Sequence, residues 1–196
     1  MSEKTDQKRQ LILDSARRVF ALKGYKSVTM KDIVDASEIS RGGLYLYFPS
    51  VEDVFLSVLE MEEKHIDEEI SGEELETASN GEMLLWFFKT QKKEILKKKD
   101  SLLIAKYEYS FACKEKKQLS VLKKEMDKAV LVLEKILERG TQNGEFACFD
   151  VKNEAKDMMY AIEGMKLLSC TIGISEKKVD TEFLHMMERI VIEDEE

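Results

Sequence analysis

Apolar residues recur at helical spacing over most of the chain, whereas the alternating apolar and polar runs typical of strands are scarce. The first such segment, from about Gln7 to Lys23, places apolar side chains at offsets of four, seven and eight on one side: Ile12, Ala16, Val19 and Phe20. Pro49 is the only proline, so little interrupts the segments that follow. The pattern predicts an all-α protein.

Two short helices are predicted between residues 29 and 48. Thr29 precedes an apolar-periodic segment and Asp32 follows three residues later, a spacing close to that of a reciprocal capping box. Ser40 offers a second N-cap, so the next helix begins at Arg41 and stops before Pro49. A helix, a three-residue turn and a second helix have the spacing of a helix-turn-helix unit.

Six further helices are predicted after Pro49, separated mainly by polar or glycine-containing stretches. A polar stretch with glycine near each end, residues 71–81, follows the first of them. About nine helices are expected in all, the later ones over residues 51–70, 82–98, 101–112, 117–139, 151–172 and 178–192.

The second short helix carries residue types suited to DNA. Gly42 and Gly43 each cost about 1 kcal/mol relative to alanine in an exposed helix, which indicates that a large partner approaches closely. The amides of this first helical turn suit phosphate oxygens. Arg41 can reach the N7 and O6 acceptors of guanine. Tyr45 and Tyr47 offer hydroxyls to phosphate and ring faces to thymine methyl groups.

The alternative for this region is a purely structural corner whose aromatic residues fill the core. We accept that interpretation for Leu44 and Phe48, while the adjacent glycines with Arg41 and Tyr47 favour DNA. The charge distribution agrees, although the whole chain has a net charge of −8. Residues 1–50 hold nine Lys and Arg against six Asp and Glu, so the positive charge coincides with the motif.

The start of the first short helix is a second predicted DNA contact. Lys26 and Lys31 flank the Thr29 cap, and a phosphate near that helix start would gain from both lysines. The predicted DNA-binding set, including the second cap, is Lys26, Thr29, Lys31, Ser40, Arg41, Gly42, Gly43, Tyr45 and Tyr47.

In these motifs the chain resembles the TetR family of bacterial transcriptional regulators. The resemblance covers about the first 55 residues and rests on Ile12 to Phe20, Gly24-Tyr25, Thr29 to Ala36, Ser40-Arg41-Gly42 and Tyr45 to Phe48. One position departs from the family pattern, which commonly has Lys where this chain has Val51. If that Lys usually holds a phosphate, this chain lacks one contact.

The resemblance implies a division into two domains. Residues 1–50 would form a three-helix helix-turn-helix DNA-binding head, and residues 51–196 a helical bundle for ligand binding and dimerisation. It further implies a homodimeric repressor that leaves a palindromic operator when a small-molecule effector binds, with no cofactor. An apolar pocket needs aromatic and methionine side chains. The candidates, each also compatible with core packing, are Trp86, Phe87, Tyr107, Phe111, Met126, Met158, Met159 and Ile162.

The penultimate helix has more apolar surface than one face requires. Its second stripe contains small residues that let another helix approach, which suggests a four-helix interface with a symmetry mate. The alternative is that both stripes are buried in one large monomeric bundle. The predicted interface residues on the last two helices are Ala161, Gly164, Leu168, Ile172, Phe183, Met187, Ile190 and Val191.

Other chemistry finds little support in the sequence. His65 and His185 lie far apart without nearby cysteines, which argues against a zinc site, and no catalytic motif is recognisable. Cys113, Cys148 and Cys170 could sense oxidants, but small buried thiols are the commoner outcome.

The sequence also indicates a location and leaves two rival functions open. A cytoplasmic protein without membrane association is expected, since the opening residues are polar and the longest apolar run spans only residues 83–88. One rival is an interaction protein of the same fold, acting as a coactivator or nucleoid-associated factor. The other is an enzyme that processes a small molecule in the helical domain.

Overall fold

The computed structural model describes residues 3–70, 78–97, 99–113 and 119–190, and in these ranges it contains nine helices and no strand. The all-α prediction is therefore confirmed for this part of the chain. In chain order the helices are α1 (Glu3–Lys23), α2 (Met30–Ser37), α3 (Arg41–Tyr45), α4 (Val51–Ile70), α5 (Asn80–Leu96), α6 (Leu103–Ala112), α7 (Ser120–Gln142), α8 (Val151–Cys170) and α9 (Glu176–Glu188).

The helix limits differ from the predicted ones where local hydrogen bonds decide them. Helix α3 is shorter than expected because the amides of Tyr47 and Phe48 both donate to the Leu44 carbonyl, at 3.0 Å each, which tightens the chain into a turn. Helix α5 begins two residues early because Ser79 forms a capping box with Glu82. Helix α1 begins at Glu3, about one turn before the predicted Gln7. Parts of residues 71–81, 117–139 and 178–192 lie outside the described residues.

The chain packs into two compact units, the first of which contains α1 to α4 together with α6. Its core is built largely by α1, α4 and α6, with single anchors from the two short helices, Ile33 on α2 and Leu44 on α3. Helix α1 contacts α2, α4 and α6. Thus a helix that lies some fifty residues after the predicted head belongs to the same compact unit. The functional division after residue 50 remains a prediction.

The second unit contains α5, α8, α9 and the part of α7 from Lys124 onwards. Its core includes Leu84 and Phe88 on α5 and Leu137 on α7. Glu145 binds the start of α5, accepting a hydrogen bond from Asn80 Nδ2 at 2.6 Å and another from the Gly81 amide at 3.1 Å. These bonds lower the pKa of the Glu145 carboxyl, and the bond from Asn80 contributes most.

The second unit buries a cation on α8. Lys166 on α8 is 6% exposed, and its ammonium lies 3.0 Å from Glu94 and 2.9 Å from Glu163. Burial alone would lower the pKa of Lys166, but the two carboxylates outweigh it and the pKa is raised. The lysine is therefore charged, and its ion pairs join α8 to α5. In the described part of the chain, no helix combines the length and the apolar character that a membrane crossing requires.

Candidate nucleic-acid interface

The start of α2 is fixed by the capping box predicted from the sequence. Asp32 donates its amide to Thr29 Oγ1 at 3.3 Å, and its carboxylate accepts the Thr29 amide at 2.8 Å. Lys23 at the end of α1 pairs with the same carboxylate at 2.6 Å. The Lys23 hydrogen bond, followed by those of Thr29, holds the pKa of Asp32 well below its usual range. The ends of α1 and α2 are thereby joined on the surface.

The turn and the second helix also follow the predicted spacing. Glu38 adopts a left-handed conformation with φ of 56°, which ends α2 and turns the chain. Ser40 then caps α3 by accepting the Gly43 amide on its Oγ at 3.1 Å. Ile33 and Leu44, both 0% exposed, anchor the two helices in the core. The helix-turn-helix geometry is therefore present.

Helix α3 presents an exposed surface that combines charge, aromatic rings and apolar groups. Arg41 and Tyr45 are both exposed, and the Arg41 guanidinium carbon lies 5.7 Å from the centre of the Tyr45 ring. Leu46 directly after the helix is 86% exposed, which sequence reasoning missed. Leu44 and Phe48 are buried at 0% and 3%, which confirms their interpretation as core residues.

The two glycines of α3 differ in what surrounds them. A Cβ atom on Gly43 would lie 3.1 Å from Ser40 Oγ, so the N-cap itself favours a small residue there. A Cβ on Gly42 would meet nothing within 4 Å. The chain therefore gives no steric reason for glycine at position 42, as expected if a separate molecule approaches there. Because Ser40 occupies the Gly43 amide, only the first two amides of the turn, those of Arg41 and Gly42, are left for phosphate.

The predicted phosphate contacts outside α3 are exposed or half-buried. Lys26, Thr29 and Lys31 are exposed, and the Asp32 carboxylate between them is paired with Lys23 instead. Tyr47 is half-buried and borders a shallow depression with the first turns of α1. Val51, at the family's usual lysine position, packs at the edge of the first unit's core. Its side chain supplies no cation at this point of the surface.

Helix α6 supports the loop between α1 and α2, a role that no local sequence signal announces. Glu108 accepts the Lys26 amide on Oε2 at 2.8 Å. Gly24, with φ of +75°, makes room for this carboxylate, since a Cβ there would lie 2.5 Å from Glu108 Oε2. Arg17 on α1 forms ion pairs with Glu62 at 2.8 Å and with Asp100, just before α6, at 2.7 Å. The candidate interface is therefore supported by contacts between residues that are far apart in the sequence.

An aromatic cluster lies behind the same loop. Tyr25 lies 5.0 Å from both Phe55 and Tyr109, measured between ring centres, and Phe20 lies 4.8 Å from Phe55. Tyr109 is 2% exposed and donates its hydroxyl to Glu52 Oε1 at 3.0 Å. Burial raises the pKa of the Tyr109 hydroxyl above its ordinary value, and the hydrogen bond to Glu52 adds a smaller increase. These rings hold α1, α4 and α6 together.

The predicted effector residues fall into two groups. Six of them belong to or pack against the core of the second unit: Trp86, Phe87, Met126, Met158, Met159 and Ile162. Tyr107 and Phe111 lie on α6, which belongs to the first unit and turns Ala105 and Tyr109 into that unit's core. Phe111 is 76% exposed.

The predicted dimer residues also divide. Ala161, Gly164, Leu168 and Ile172 are exposed, Ile172 to 85%, and Met187 is half-buried. Phe183 and Ile190 are only 6% and 1% exposed, because they pack inside the chain, and their place in an interface stays a prediction. Val191 lies outside the described residues. Sequence reasoning missed three exposed apolar residues of α8 and α9: Tyr160, Leu167 and Leu184.

The three cysteines are half-buried and form no disulfide. Burial raises the pKa of the Cys148 and Cys170 thiols, so these two carry little thiolate at neutral pH. This environment does not favour the redox role that the sequence left open for them.

Two family models match the chain. One, described as bacterial regulatory proteins of the tetR family, covers residues 12–58. The other, described as a tetracyclin repressor-like C-terminal domain, covers residues 83–180. The helix-turn-helix unit lies within the first match, and the second match begins in α5 and ends in α9.

Individual proteins agree with these matches. The chain is 30% identical to the uncharacterized HTH-type transcriptional regulator YfiR of Bacillus subtilis, over 74% of this chain and 70% of that protein. It is 26% identical to the HTH-type transcriptional regulator QacR of Staphylococcus aureus, over 85% of this chain and 88% of that protein.

Solved structures share the fold. A transcriptional regulator from Saccharomonospora viridis, in complex with choline, superposes with a TM-score of 0.83 at 22% identity, covering 96% of this chain and 100% of the other. A TetR transcription regulator from Haloarcula marismortui superposes with a TM-score of 0.81 at 16% identity, covering 94% and 96%. At these identities the two comparisons establish the fold alone.

Replacing Glu108 tests the support that α6 gives to the α1–α2 loop. In Glu108→Ala the Lys26 amide loses its charged acceptor, and its hydrogen exchange should accelerate about tenfold, the factor that corresponds to about 1.4 kcal/mol. Glu108→Gln keeps an oxygen at the same place and should have a smaller effect. Glu60→Ala removes an exposed glutamate of α4 and serves as control. Unchanged protection of Lys26 in Glu108→Ala would show that this bond does not hold the loop.

Proposed function

The chain belongs to the TetR family of DNA-binding transcriptional regulators, and from that premise we propose that it is a homodimeric repressor of a palindromic operator, released by a small, largely apolar effector. The proposed DNA binding is supported mainly by the exposed surface of α3. Arg41 and Tyr45 project from this helix, and Leu44 anchors its opposite side. The activity would be exerted in the cytoplasm, on double-stranded DNA.

The proposed division of labour on DNA follows from the chemistry of each group. Arg41 reads guanine in the major groove, because its guanidinium can donate two hydrogen bonds to N7 and O6. Gly42 lets the helix approach the duplex, since no side chain occupies the open space beside it. Lys26, Lys31 and Tyr47 contact phosphates, which orient the head and add affinity for any sequence.

A two-fold dimer is supported by the exposed stripe on α8. Ala161, Gly164 and Leu168 lie on one side of that helix, and a Cβ on Gly164 would meet nothing within 4 Å, which leaves room for a partner helix. An exposed apolar stripe of this kind commonly marks an interface. Symmetric heads would enter successive major grooves if their recognition helices lay about 34 to 36 Å apart, which requires a palindromic operator.

An effector site is proposed in the second unit. Met126, Met158 and Met159 gather near Phe87 and Ile162, and methionine side chains can rearrange to admit an apolar molecule. The structurally similar protein from Saccharomonospora viridis was solved with choline, a small organic molecule. An effector releases DNA only if it prefers a conformation with badly spaced heads, with a coupling of about 1 to 3 kcal/mol. Release of DNA by such an effector requires no catalytic residues.

Selection of binding sequences tests the proposed function directly. The purified protein is mixed with random or genomic DNA at low and near-physiological salt, and the retained sequences are aligned. A two-fold symmetric motif should persist at the higher salt, because base contacts add to the electrostatic attraction. The alternative interaction protein instead predicts no enriched motif, weak DNA binding that modest salt abolishes, and a stable complex with another protein.

Two substitutions separate base recognition from phosphate binding. Arg41→Ala should relax the preference at one base pair in each half-site, at a cost of about 1 to 3 kcal/mol. Tyr47→Phe should weaken binding to all sequences alike, since it removes a phosphate contact. Affinities for the selected operator and for single-base variants check both. Intact affinity and base preference in Arg41→Ala would remove that residue from the reading role.

The effector mechanism can be tested through its reciprocity. Any compound that displaces the protein from its operator should bind the DNA-bound protein more weakly, by the same factor by which it weakens operator binding. Titrating such a compound with and without saturating operator measures this factor. Equal affinity in the two titrations would contradict release by a shift between two conformations.

A further inference from the structure

A shallow depression lies where the first turns of α1 meet Tyr47, and it is lined by Thr5, Gln7, Lys8, Leu11 and Tyr47. We propose that this depression, the Tyr47 groove, receives the backbone of operator DNA and that Lys8 contacts a phosphate there together with Tyr47. The inference rests on the proposed DNA-binding function and extends it to a part of α1 that carries none of the predicted contacts.

Apart from Tyr47, the groove is lined by residues that precede the matching family model. The matching family model begins at residue 12, whereas four of the five groove residues precede that position. Helix α1 extends to Glu3 and so provides more than two additional turns before the match begins. Lys8 and Leu11 are three residues apart and therefore lie on the same side of this extension. The extension thus adds surface next to Tyr47.

The charge of the groove favours an anion. Lys8 is exposed, and none of the described carboxylates forms an ion pair with it. Asp6, two residues away, points to another side of α1, because residues at that offset do not face each other. The neighbouring Arg9 is engaged in packing, since it donates to Ser57 Oγ at 3.2 Å and lies 5.4 Å from the centre of the Phe48 ring. Lys8 is therefore the cation that the groove can offer to a ligand.

The remaining groups suit a nucleotide backbone. The hydroxyl of Tyr47 and the amide of Gln7 can donate hydrogen bonds to phosphate oxygens, as such side chains commonly do in DNA complexes. Leu11 is 49% exposed and offers an apolar surface to a sugar ring. A single exposed lysine would hold a free phosphate ion only weakly. Tyr47 connects the groove to the exposed surface of α3, so the DNA bound there can reach it.

The salt dependence of operator binding tests the role of Lys8. In Lys8→Ala the slope of log affinity against log salt should become shallower by about 0.9 for each lost phosphate contact, or about 1.8 for a dimer with two heads. Affinity at a fixed low salt should fall about tenfold, with unchanged base preference. Alanine favours helix, so α1 should persist. Lys135→Ala removes an exposed lysine of α7 and is the matched control.

A double-mutant cycle tests whether Lys8 and Tyr47 act on one phosphate. If they do, Lys8→Ala combined with Tyr47→Phe should lose less affinity than the product of the two single losses, because the second change removes a contact already weakened. Combining Lys8→Ala with Lys31→Ala should give independent effects if the latter contacts another phosphate. Independent effects in both pairs would overturn the joint contact.

The outcomes distinguish this inference from the function on which it rests. Absence of specific binding by the unaltered protein would contradict the proposed function. Specific binding by that protein, with equal salt slopes for Lys8→Ala and Lys135→Ala, would overturn the groove while leaving the function intact. A changed base preference in Lys8→Ala would place Lys8 on a base and overturn its assignment to phosphate.

Discussion

A five-residue helix cannot hold its shape through its own hydrogen bonds, so the exposed surface of α3 depends on the core behind it. Leu44 is 0% exposed and Phe48 is 3% exposed, which fixes the helix and the chain after it. The Ser40 cap adds one hydrogen bond at the start. With the helix anchored in this way, Arg41 and Tyr45 point outward from a defined position. Burial of apolar side chains on the inner side of α3 thus fixes the positions of the side chains on its exposed side.

The same core explains why α6 matters to a surface that it does not form. Tyr109 packs against Tyr25 and Phe55, and Glu108 accepts the Lys26 amide in the loop that precedes Thr29. A change in α6 would therefore alter the loop that carries a predicted phosphate contact. The apolar packing fixes the distance between α6 and the loop, and the charged hydrogen bond fixes the orientation of the loop backbone.

Sequence rules that involve neighbouring residues correctly predicted the features that hydrogen bonds between neighbouring residues determine. The caps at Thr29 and Ser40 use hydrogen bonds across three residues, and both occur as the sequence indicated. The support from Glu108 joins residues 82 positions apart, and no spacing rule anticipates it. Periodicity likewise identified apolar stripes on α8 and α9 but could not separate buried from exposed positions. Phe183 is buried while Leu184 beside it is 54% exposed, a distinction that only the packing of neighbouring helices decides.

In the proposed interface, affinity and sequence preference are separable because they arise from different groups. The proposed base contact lies on α3, whereas the proposed phosphate contacts come from the α2 start, Tyr47 and the extension of α1 that precedes the family match. The chain outside residues 1–50 is strongly acidic, which opposes indiscriminate attraction to DNA. Each added phosphate contact then raises affinity for all sequences and makes it more sensitive to salt. In the proposed interface, a lysine such as Lys8 would consequently adjust how long the protein stays on DNA without changing which operator it recognises.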